Sequence, residues 1–174
     1  MTPEEILSIL REVQILKEVD REGWKHRGIT NPESVADHTL GVAFLVMMMA
    51  EGEDLDVEKA LKMAMLHDLP ESRVGDISHH SPKYPEKARL EEEAAQEIFE
   101  GLSDYHKLCQ EYSKGESPEA RLVKAADKLE LLAQALEYEI KGHDVSDFWD
   151  EDYKFNGVAE KVYQNIKNAR KESR

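Results

Sequence analysis

Ala64-Met65-Leu66-His67-Asp68-Leu69-Pro70-Glu71 is the stretch that decides how this chain is interpreted, because a histidine stands directly beside an aspartate where a mainly apolar run ends. Each of these two polar residues follows an apolar residue by three or four positions, and on a helix that spacing places them on one face. Both side chains would then point partly inward, where an imidazole beside a carboxylate is costly unless a charge or a metal compensates. The dipeptide alone is also consistent with a helix that simply ends on two polar residues, so the rest of the chain has to decide.

The composition indicates one helical, acidic domain. With 174 residues, 9 glycines and 6 prolines, the chain suits a single largely helical unit that can bury a substantial core. The net charge of −14 argues against general binding of nucleic-acid polymers or anionic membranes. A single cysteine, Cys109, excludes an intramolecular disulfide and a cysteine zinc site. No signal peptide is recognisable and no apolar run approaches the ~18 residues of a membrane span, so we predict a soluble cytoplasmic protein.

Apolar residues at steps of three and four predict an all-α bundle. We predict a single domain over residues 1–174, with a core of about residues 20–145 and a C-terminal helix packed on it. The predicted helices span residues 3–19, Ser34 to about 51, Asp56 to 68, 86–101, 104–112, Ser117 to about 141, and 157–170.

Residues 20–31 lack this periodicity and predict a loop that concentrates cations around Trp24 in an otherwise acidic protein. The segment fits either a solvated linker whose tryptophan fills an edge of the core or an anion-binding segment. His79 and His80 stand in a second polar loop and are predicted to be exposed, and Glu91 to Glu93 are predicted to form a solvated helix face.

Four ligand-type residues fall on or near inward faces of three predicted helices. His38 follows the apolar line of the second helix, and Asp127 lies at the edge of the apolar stripe of the longest helix. Taken singly, His38 could be a hydrogen-bonded core residue, and Asp127 could be an ion-pair partner of Lys124 or Lys128. Together with His67 and Asp68, they predict a metal site between helices. Two imidazoles and two carboxylates suit manganese, cobalt, iron, nickel or magnesium, with zinc as a further candidate, and leave positions for water or substrate.

The order of these motifs resembles the HD-domain metal-dependent phosphohydrolases, and in particular the 5'-deoxynucleotidase branch that includes the short HD domain-containing protein 2 group. The resemblance covers about residues 5–160 and rests on five motifs, which are Gly23-Trp24-x-x-Arg27, Asn31 to His38, His67-Asp68-x-x-Glu71, Gly75-Asp76-Ile77 and Leu122-Val123-Lys124-x-x-Asp127. Glu111-Tyr112 matches a further segment that lines the substrate pocket in some relatives, with a one-residue difference in length. It implies an HD-domain helical bundle with metal ligation by His38, His67, Asp68 and Asp127.

The resemblance also implies where substrate binds. A 5'-phosphate pocket would involve the Trp24 segment, with substrate contact near Asp76. A second, weaker metal position would be formed by Glu71, Asp76 and the backbone oxygen of Ile77. Bacterial members carry an arginine directly before the tryptophan, where this chain has Gly23, so Arg21 or Arg27 has to supply that charge. The implied substrate-binding residues are Arg21, Trp24, Arg27, Asp76, Lys83, Glu111, Tyr112 and Lys124.

From these residues we predict a metal-dependent phosphoric monoester hydrolase that releases phosphate from deoxyribonucleoside 5'-monophosphates. Glu71 is assigned as general base or water-orienting residue, one turn after the ligand pair, and Asp76 as a contact to the sugar hydroxyl or a partner in proton transfer. Lys83 and Lys124 are candidates for stabilising the leaving charge. The alternatives are an HD phosphohydrolase for triphosphates, cyclic nucleotides or alarmones, and a non-catalytic metal-binding scaffold. Apolar residues of the first and last helices permit a homodimer.

Overall fold

A computed structural model describes residues 1–173, which form a helical bundle without β-strands; one isolated antiparallel bridge joins Asp20 and Ser34. The all-α prediction is confirmed. None of the helices within the described residues is long and apolar enough to cross a membrane. The helices are α1 (Pro3–Leu16), α2 (Glu22–Lys25), α3 (Val35–Met49), α4 (Val57–Leu66), α5 (Glu71–Val74), α6 (Lys87–Ile98), α7 (Ser103–Lys114), α8 (Pro118–Ile140) and α9 (Gly157–Glu172), with 3₁₀ turns at Tyr84–Glu86 and Ser146–Trp149.

Helix α8 is the central element and packs against α3, α4, α7 and α9. Its fully buried residues recur every three positions, slightly less than one helical turn, so the buried face winds around the helix and meets several neighbours. These residues are Ala120, Val123, Ala126, Leu129, Leu132 and Ala135. The long central helix therefore gives neighbouring helices a common surface, and polar residues at the margin of that face meet polar residues from α3 and α4.

Local capping explains where several helices begin. Thr2 and Ser34 each accept a hydrogen bond from the third residue of the helix and form reciprocal capping boxes with Glu5 and Asp37. Ser117 accepts from the Ala120 amide, and Pro118 occupies the first helical position of α8. The helix starts that these residues predict are confirmed.

The structure differs from the predicted elements near both polar loops. The segment predicted as a loop over residues 20–31 contains one helical turn, α2, because Trp24 is buried and holds the turn against the bundle. Helix α4 ends at Leu66 rather than at Asp68. Pro70 has no N–H to donate to the Leu66 carbonyl, which instead accepts from the Leu69 amide at 3.1 Å. The His67-Asp68 pair therefore lies in a tight turn between α4 and α5.

A buried polar contact attaches α1 to α5. The Glu12 carboxylate accepts hydrogen bonds from Ser72 Oγ at 2.7 Å and from Arg73 Nη2 at 2.8 Å. Burial alone would raise the pKa of Glu12, but the hydrogen bonds from Arg73 and Ser72 outweigh it and hold that pKa below its usual value.

We expect Glu12→Gln to lower the free energy of unfolding at pH 7 by about 1–2 kcal/mol, because the charged acceptor for Arg73 is lost. A lowered native-state pKa means that this stabilisation is present above the unfolded value of about 4.3 and is lost as the pH falls through the native pKa. Urea unfolding at pH 7 and pH 3 should show a gap between wild type and variant that shrinks at acid pH. The exposed Glu4→Gln variant is the control, and a gap independent of pH would contradict the role of the ionised carboxylate.

Candidate metal centre

The four residues predicted as metal ligands come together where α3, the α4–α5 turn and α8 meet. The His38 Nε2 atom lies 3.2 Å from Asp127 Oδ1 and 3.7 Å from Asp68 Oδ2. The His67 Nε2 atom lies 3.2 Å from Asp68 Oδ2. Residues separated by about 30 and 60 positions thus place two imidazole nitrogens and two carboxylates around one point.

Hydrogen bonds orient both imidazoles toward this point. His67 Nδ1 lies 2.8 Å from the Ala64 carbonyl oxygen, which can only accept, so Nδ1 carries the proton. His38 Nδ1 lies 2.5 Å from Glu130 Oε2 and donates to that carboxylate. In the neutral form both rings therefore offer the Nε2 lone pair to the cluster. Both Nε2 atoms are buried and have no hydrogen-bond partner among residues 1–173.

This arrangement fits a divalent cation. Ligand atoms bound to one ion at about 2.1 Å are about 3.0–3.5 Å apart, depending on the coordination angle. The nitrogen–oxygen separations of 3.2, 3.7 and 3.2 Å lie in or close to that range. Buried nitrogens without a partner cost free energy, and a cation between them and the carboxylates removes that cost. The donor set thus satisfies the chemistry of a metal centre.

The electrostatics of the cluster lead to the same conclusion. Burial raises the pKa of Asp68 and of Asp127, but the neighbouring imidazoles outweigh it and hold both carboxyl groups well below their usual pKa. Against burial and the charge of Arg21, the carboxylates of Asp127 and Glu130 raise the pKa of His38 to about 9. The cluster therefore has an excess of negative potential that a bound cation would neutralise.

A cavity of about 390 Å³ opens beside the cluster and is large enough for a small ligand. Its wall contains His67, Asp68 and Asp127, while the fully buried His38 lies behind them. The other predicted site residues that line this cavity are Arg21, Trp24, Asp76, Ile77 and Tyr112.

Arg21 and Trp24 form one wall of the cavity. Arg21 Nη1 lies 3.8 Å from Asp68 Oδ2, which places a guanidinium directly beside the cluster. Trp24 is 1% exposed, packs against Phe148 with ring centroids 4.4 Å apart, and donates its indole N–H to Glu33 Oε1 at 2.9 Å. The tryptophan segment thus fills the core and also lines the cavity.

Four predicted substrate-binding residues lie outside this cavity. Arg27 pairs with Asp147, and Lys83 is exposed on the surface. Glu111 pairs with Lys59 at 2.5 Å on another face of the bundle. The Lys124 ammonium donates to the Ser113 carbonyl at 3.2 Å and lies over the Tyr112 ring.

Glu71 and Asp76 take different positions relative to the cluster. Glu71 is 1% exposed; its Oε1 accepts from Lys87 Nζ at 3.1 Å, and its Oε2 has no partner among residues 1–173. Burial, with the nearby charge of Asp68, raises the pKa of Glu71 well above its usual value. Asp76 lines the cavity and accepts from the Glu22 amide at 2.7 Å, which ties α2 to the Gly75-Asp76-Ile77 segment.

Sequence reasoning missed several residues that line the cavity. Lys87 and Glu91 stand one turn apart on α6, face the cavity and pair with each other at 3.2 Å. The prediction that Glu91 belongs to a solvated face is therefore wrong, because α6 packs beside α5 and turns this residue toward the site. Lys128 and Phe148 also line the cavity. The sequence gives only two signals for these residues: Lys87 and Glu91 are four positions apart, and Lys128 directly follows Asp127.

Fold and site together define a helical-bundle protein with a buried centre of two histidines and two aspartates, in which one histidine directly precedes one aspartate. A model of the HD domain family matches residues 13–171. The chain belongs to the HD domain family.

Individual relatives agree with this assignment. The human protein "5'-deoxynucleotidase HDDC2" is 38% identical over 155 residues, which cover 83% of this chain and 75% of that protein. The Schizosaccharomyces pombe protein "5'-deoxynucleotidase hdd1" is 39% identical over 136 residues, covering 72% of this chain and 68% of that one. A conserved hypothetical protein from Pyrococcus furiosus has a similar structure, with a TM-score of 0.81, 37% identity, and coverage of 95% of this chain and 99% of that one.

Proposed function

We propose that this chain is a metal-dependent 5'-deoxynucleotidase, which hydrolyses deoxyribonucleoside 5'-monophosphates to the deoxyribonucleoside and phosphate. The observation that carries the proposal is the pair of buried Nε2 atoms without hydrogen-bond partners, set against two carboxylates at the wall of a cavity that also contains a guanidinium. Relatives that are 38% and 39% identical over most of both chains are named as enzymes of this activity.

His38, His67, Asp68 and Asp127 would hold the metal, with manganese, cobalt or magnesium as the preferred ions and iron, nickel or zinc as alternatives. When bound, such an ion supplies Lewis acidity toward a phosphate oxygen and makes a bound water more acidic. Glu71, Asp76 and the Ile77 backbone oxygen would provide the second, weaker position.

Arg21 would bind the phosphate. Its guanidinium faces the cavity at 3.8 Å from Asp68, whereas Arg27 is engaged by Asp147 away from it. Arg21 therefore compensates for Gly23, which stands where bacterial members carry an arginine. Trp24 would orient the sugar and phosphate from the same wall. Tyr112 is a cavity-wall contact, and Lys83, Glu111 and Lys124 would act only from the periphery.

Glu71 would accept or hold the proton of the attacking water. Its Oε2 atom is buried and free of hydrogen bonds within the described residues, and Lys87 fixes the other oxygen. Burial raises the pKa of the Glu71 carboxyl group, which makes its carboxylate a stronger base toward the proton of the water. Asp76 would contact the sugar hydroxyl from the cavity wall. The water oxygen would form a bond to phosphorus as the bond from phosphorus to the 5'-oxygen breaks. The 5'-oxygen would leave as the nucleoside hydroxyl with the proton that Glu71 took from the water.

We expect Arg21→Gln to lower kcat/KM for a deoxyribonucleoside 5'-monophosphate by about 10²-fold, because one donor to the developing phosphate charge is lost. Steady-state phosphate release measures the effect. Arg27→Gln is the matched control, since it removes an arginine three residues from Trp24 whose side chain pairs with Asp147. A larger loss in the Arg27 variant than in the Arg21 variant would assign the phosphate contact to Arg27 instead.

Phosphate release, together with chromatographic detection of the nucleoside or nucleotide product, tests the function on a substrate panel. Metal-stripped protein would receive manganese, cobalt or magnesium and then deoxyribonucleoside 5'-monophosphates, 3'-monophosphates, triphosphates, cyclic nucleotides or guanosine tetraphosphate. We expect release from the deoxyribonucleoside 5'-monophosphates and little from the others. Turnover confined to another nucleotide class would replace the substrate assignment, and tight metal binding without turnover of any substrate would support a scaffold.

We further infer that the chain works as a single-domain homodimer in the cytoplasm, on small nucleotides rather than nucleic-acid polymers. One domain would cover residues 1–174, of which Arg174 lies outside the described residues. Helix α3 exposes Leu40, Phe44, Met47 and Met48 on one face, each 47–56% exposed. An apolar face of this kind is typical of an interface between copies. Sedimentation equilibrium would measure the mass, and a strictly monomeric protein would contradict the dimer.

A further inference from the structure

Glu130 lies one helical turn after Asp127 on α8 and contacts the most deeply buried residue of the centre. Its Oε2 atom is 2.5 Å from His38 Nδ1, and its side chain is only 13% exposed. Residues three apart on a helix share a face, so Asp127 and Glu130 reach the same imidazole from one side of α8. Asp127 meets the Nε2 atom and Glu130 meets the Nδ1 atom of His38.

Gly41 provides the room for this contact. An ideal Cβ atom on Gly41 would lie 2.8 Å from both Cγ and Oε1 of Glu130, closer than real Cβ contacts. Gly41 is inside α3 and does not have the positive φ of the glycines at Gly28 or Gly75, so its backbone conformation does not require a glycine. Glycine within a helix is less favourable than alanine, so helix formation does not explain it either. The close approach of Glu130 explains why position 41 is a glycine.

We propose that Glu130 is a positioning residue that holds His38 with Nε2 facing the metal. The absence of a side chain at Gly41 leaves the space in which the Glu130 carboxylate reaches the imidazole. The contact fixes both the orientation of the ring and the nitrogen that carries the proton. This inference rests on the metal assignment within the proposed function.

A metal on the other side of the ring is the competing explanation, because ligand-type atoms of Glu33, His38 and Glu130 all lie within 4.8 Å of one another. The separation of 2.5 Å between His38 Nδ1 and Glu130 Oε2 argues against it. Two ligand atoms of one ion at about 2.1 Å are about 3 Å apart even at a right angle. Glu33 is also engaged by the Trp24 indole N–H.

Titration of Mn²⁺ into metal-stripped full-length protein, followed by calorimetry, tests the proposal. We expect Glu130→Ala to weaken Mn²⁺ binding by about 10- to 100-fold. We expect Gly41→Ala to weaken binding in the same direction, because the new methyl group displaces the carboxylate. If alanine at position 41 acts through Glu130, the double variant should bind Mn²⁺ no more weakly than Glu130→Ala alone. Glu137→Ala, which removes an exposed glutamate of the same helix, should match wild type.

A second readout separates positioning from a general structural role. In metal-free protein, NMR of the histidine side chains should show the His38 Nδ1 proton shifted downfield and slow to exchange in wild type, because it is hydrogen-bonded to Glu130. Gly41→Ala and Glu130→Ala should lose both features. The far-UV circular dichroism spectrum of metal-free Gly41→Ala should match that of wild type, since alanine favours the helix.

Mn²⁺ affinity of Gly41→Ala within twofold of wild type, or an additive loss in the double variant, would overturn the role of Gly41. An unchanged Mn²⁺ affinity and an unchanged His38 Nδ1 proton signal in Glu130→Ala would overturn the role of Glu130. Normal Mn²⁺ binding by wild type would leave the metal assignment intact in that case. A wild-type protein that binds neither Mn²⁺ nor any of the other candidate ions would instead refute the metal assignment, and this inference with it.

Discussion

Asp68→Asn is expected to lower kcat/KM for deoxyribonucleoside 5'-monophosphates by about 10³-fold or more, because a metal ligand contributes several kcal/mol to a phosphoryl transition state. The Asp68 carboxylate is the shared member of the centre. It lies 3.2 Å from His67 Nε2, 3.7 Å from His38 Nε2 and 3.8 Å from Arg21. The amide keeps the shape of the side chain but removes the charge that both the cation and Arg21 require.

Metal content and phosphate release, measured on the same preparations, check this prediction. We expect the variant to retain little Mn²⁺ after dialysis. Adding Mn²⁺ to the assay should not restore its turnover. Asp104→Asn is the matched control, since Asp104 is exposed at the start of α7 and far from the cavity wall. An Asp68 variant with more than a tenth of wild-type activity would show that Asp68 is not a ligand.

Glu71→Gln is expected to keep the metal at the four-ligand centre and to lower kcat by about 10²- to 10⁴-fold, the contribution of a positioned general base. Glutamine can still accept a hydrogen bond from Lys87 through its amide oxygen, so the fold around α5 should be preserved. What it loses is the ability to hold a proton at the buried Oε2 position.

Metal stoichiometry and kcat together distinguish the two roles assigned to Glu71. An unchanged metal content with a large loss of kcat supports the base or water-orienting role. A drop from two bound ions to one would make Glu71 mainly a ligand of the second position. Unchanged turnover would remove it from the mechanism. Glu92→Gln on α6 is the control, because Glu92 contacts His106 and Gln110 rather than the centre.

Much of the candidate site was predictable from local sequence. His38, His67, Asp68 and Asp127 could be identified because helical spacing relative to apolar neighbours indicates which polar side chains turn inward. Capping residues such as Ser34 and Ser117 indicated where the helices that carry them begin. The resemblance to the HD-domain phosphohydrolases connected these residues across gaps of about 30 and 60 positions, which periodicity alone cannot do.

Contacts between helices remote in sequence were not predictable in this way. Glu91 was predicted to belong to a solvated face, Lys87 was not singled out, and Glu130 had no signal apart from its spacing from Asp127. Phe44 and Met48 are large apolar residues of α3, yet both are more than half exposed. Arg21 and Arg27 were equivalent candidates until Asp147 was seen to engage one of them.

The sequence by itself determined the helical class, the helix starts and the four inward ligand-type residues, because these depend on capping and on a period of 3.6 residues. The tertiary structure alone decided which arginine faces the cavity, which glutamate holds His38 and why Gly41 is a glycine. Those features depend on how α3 and α8 cross and how closely they approach, and the crossing geometry is set by side chains packing between helices.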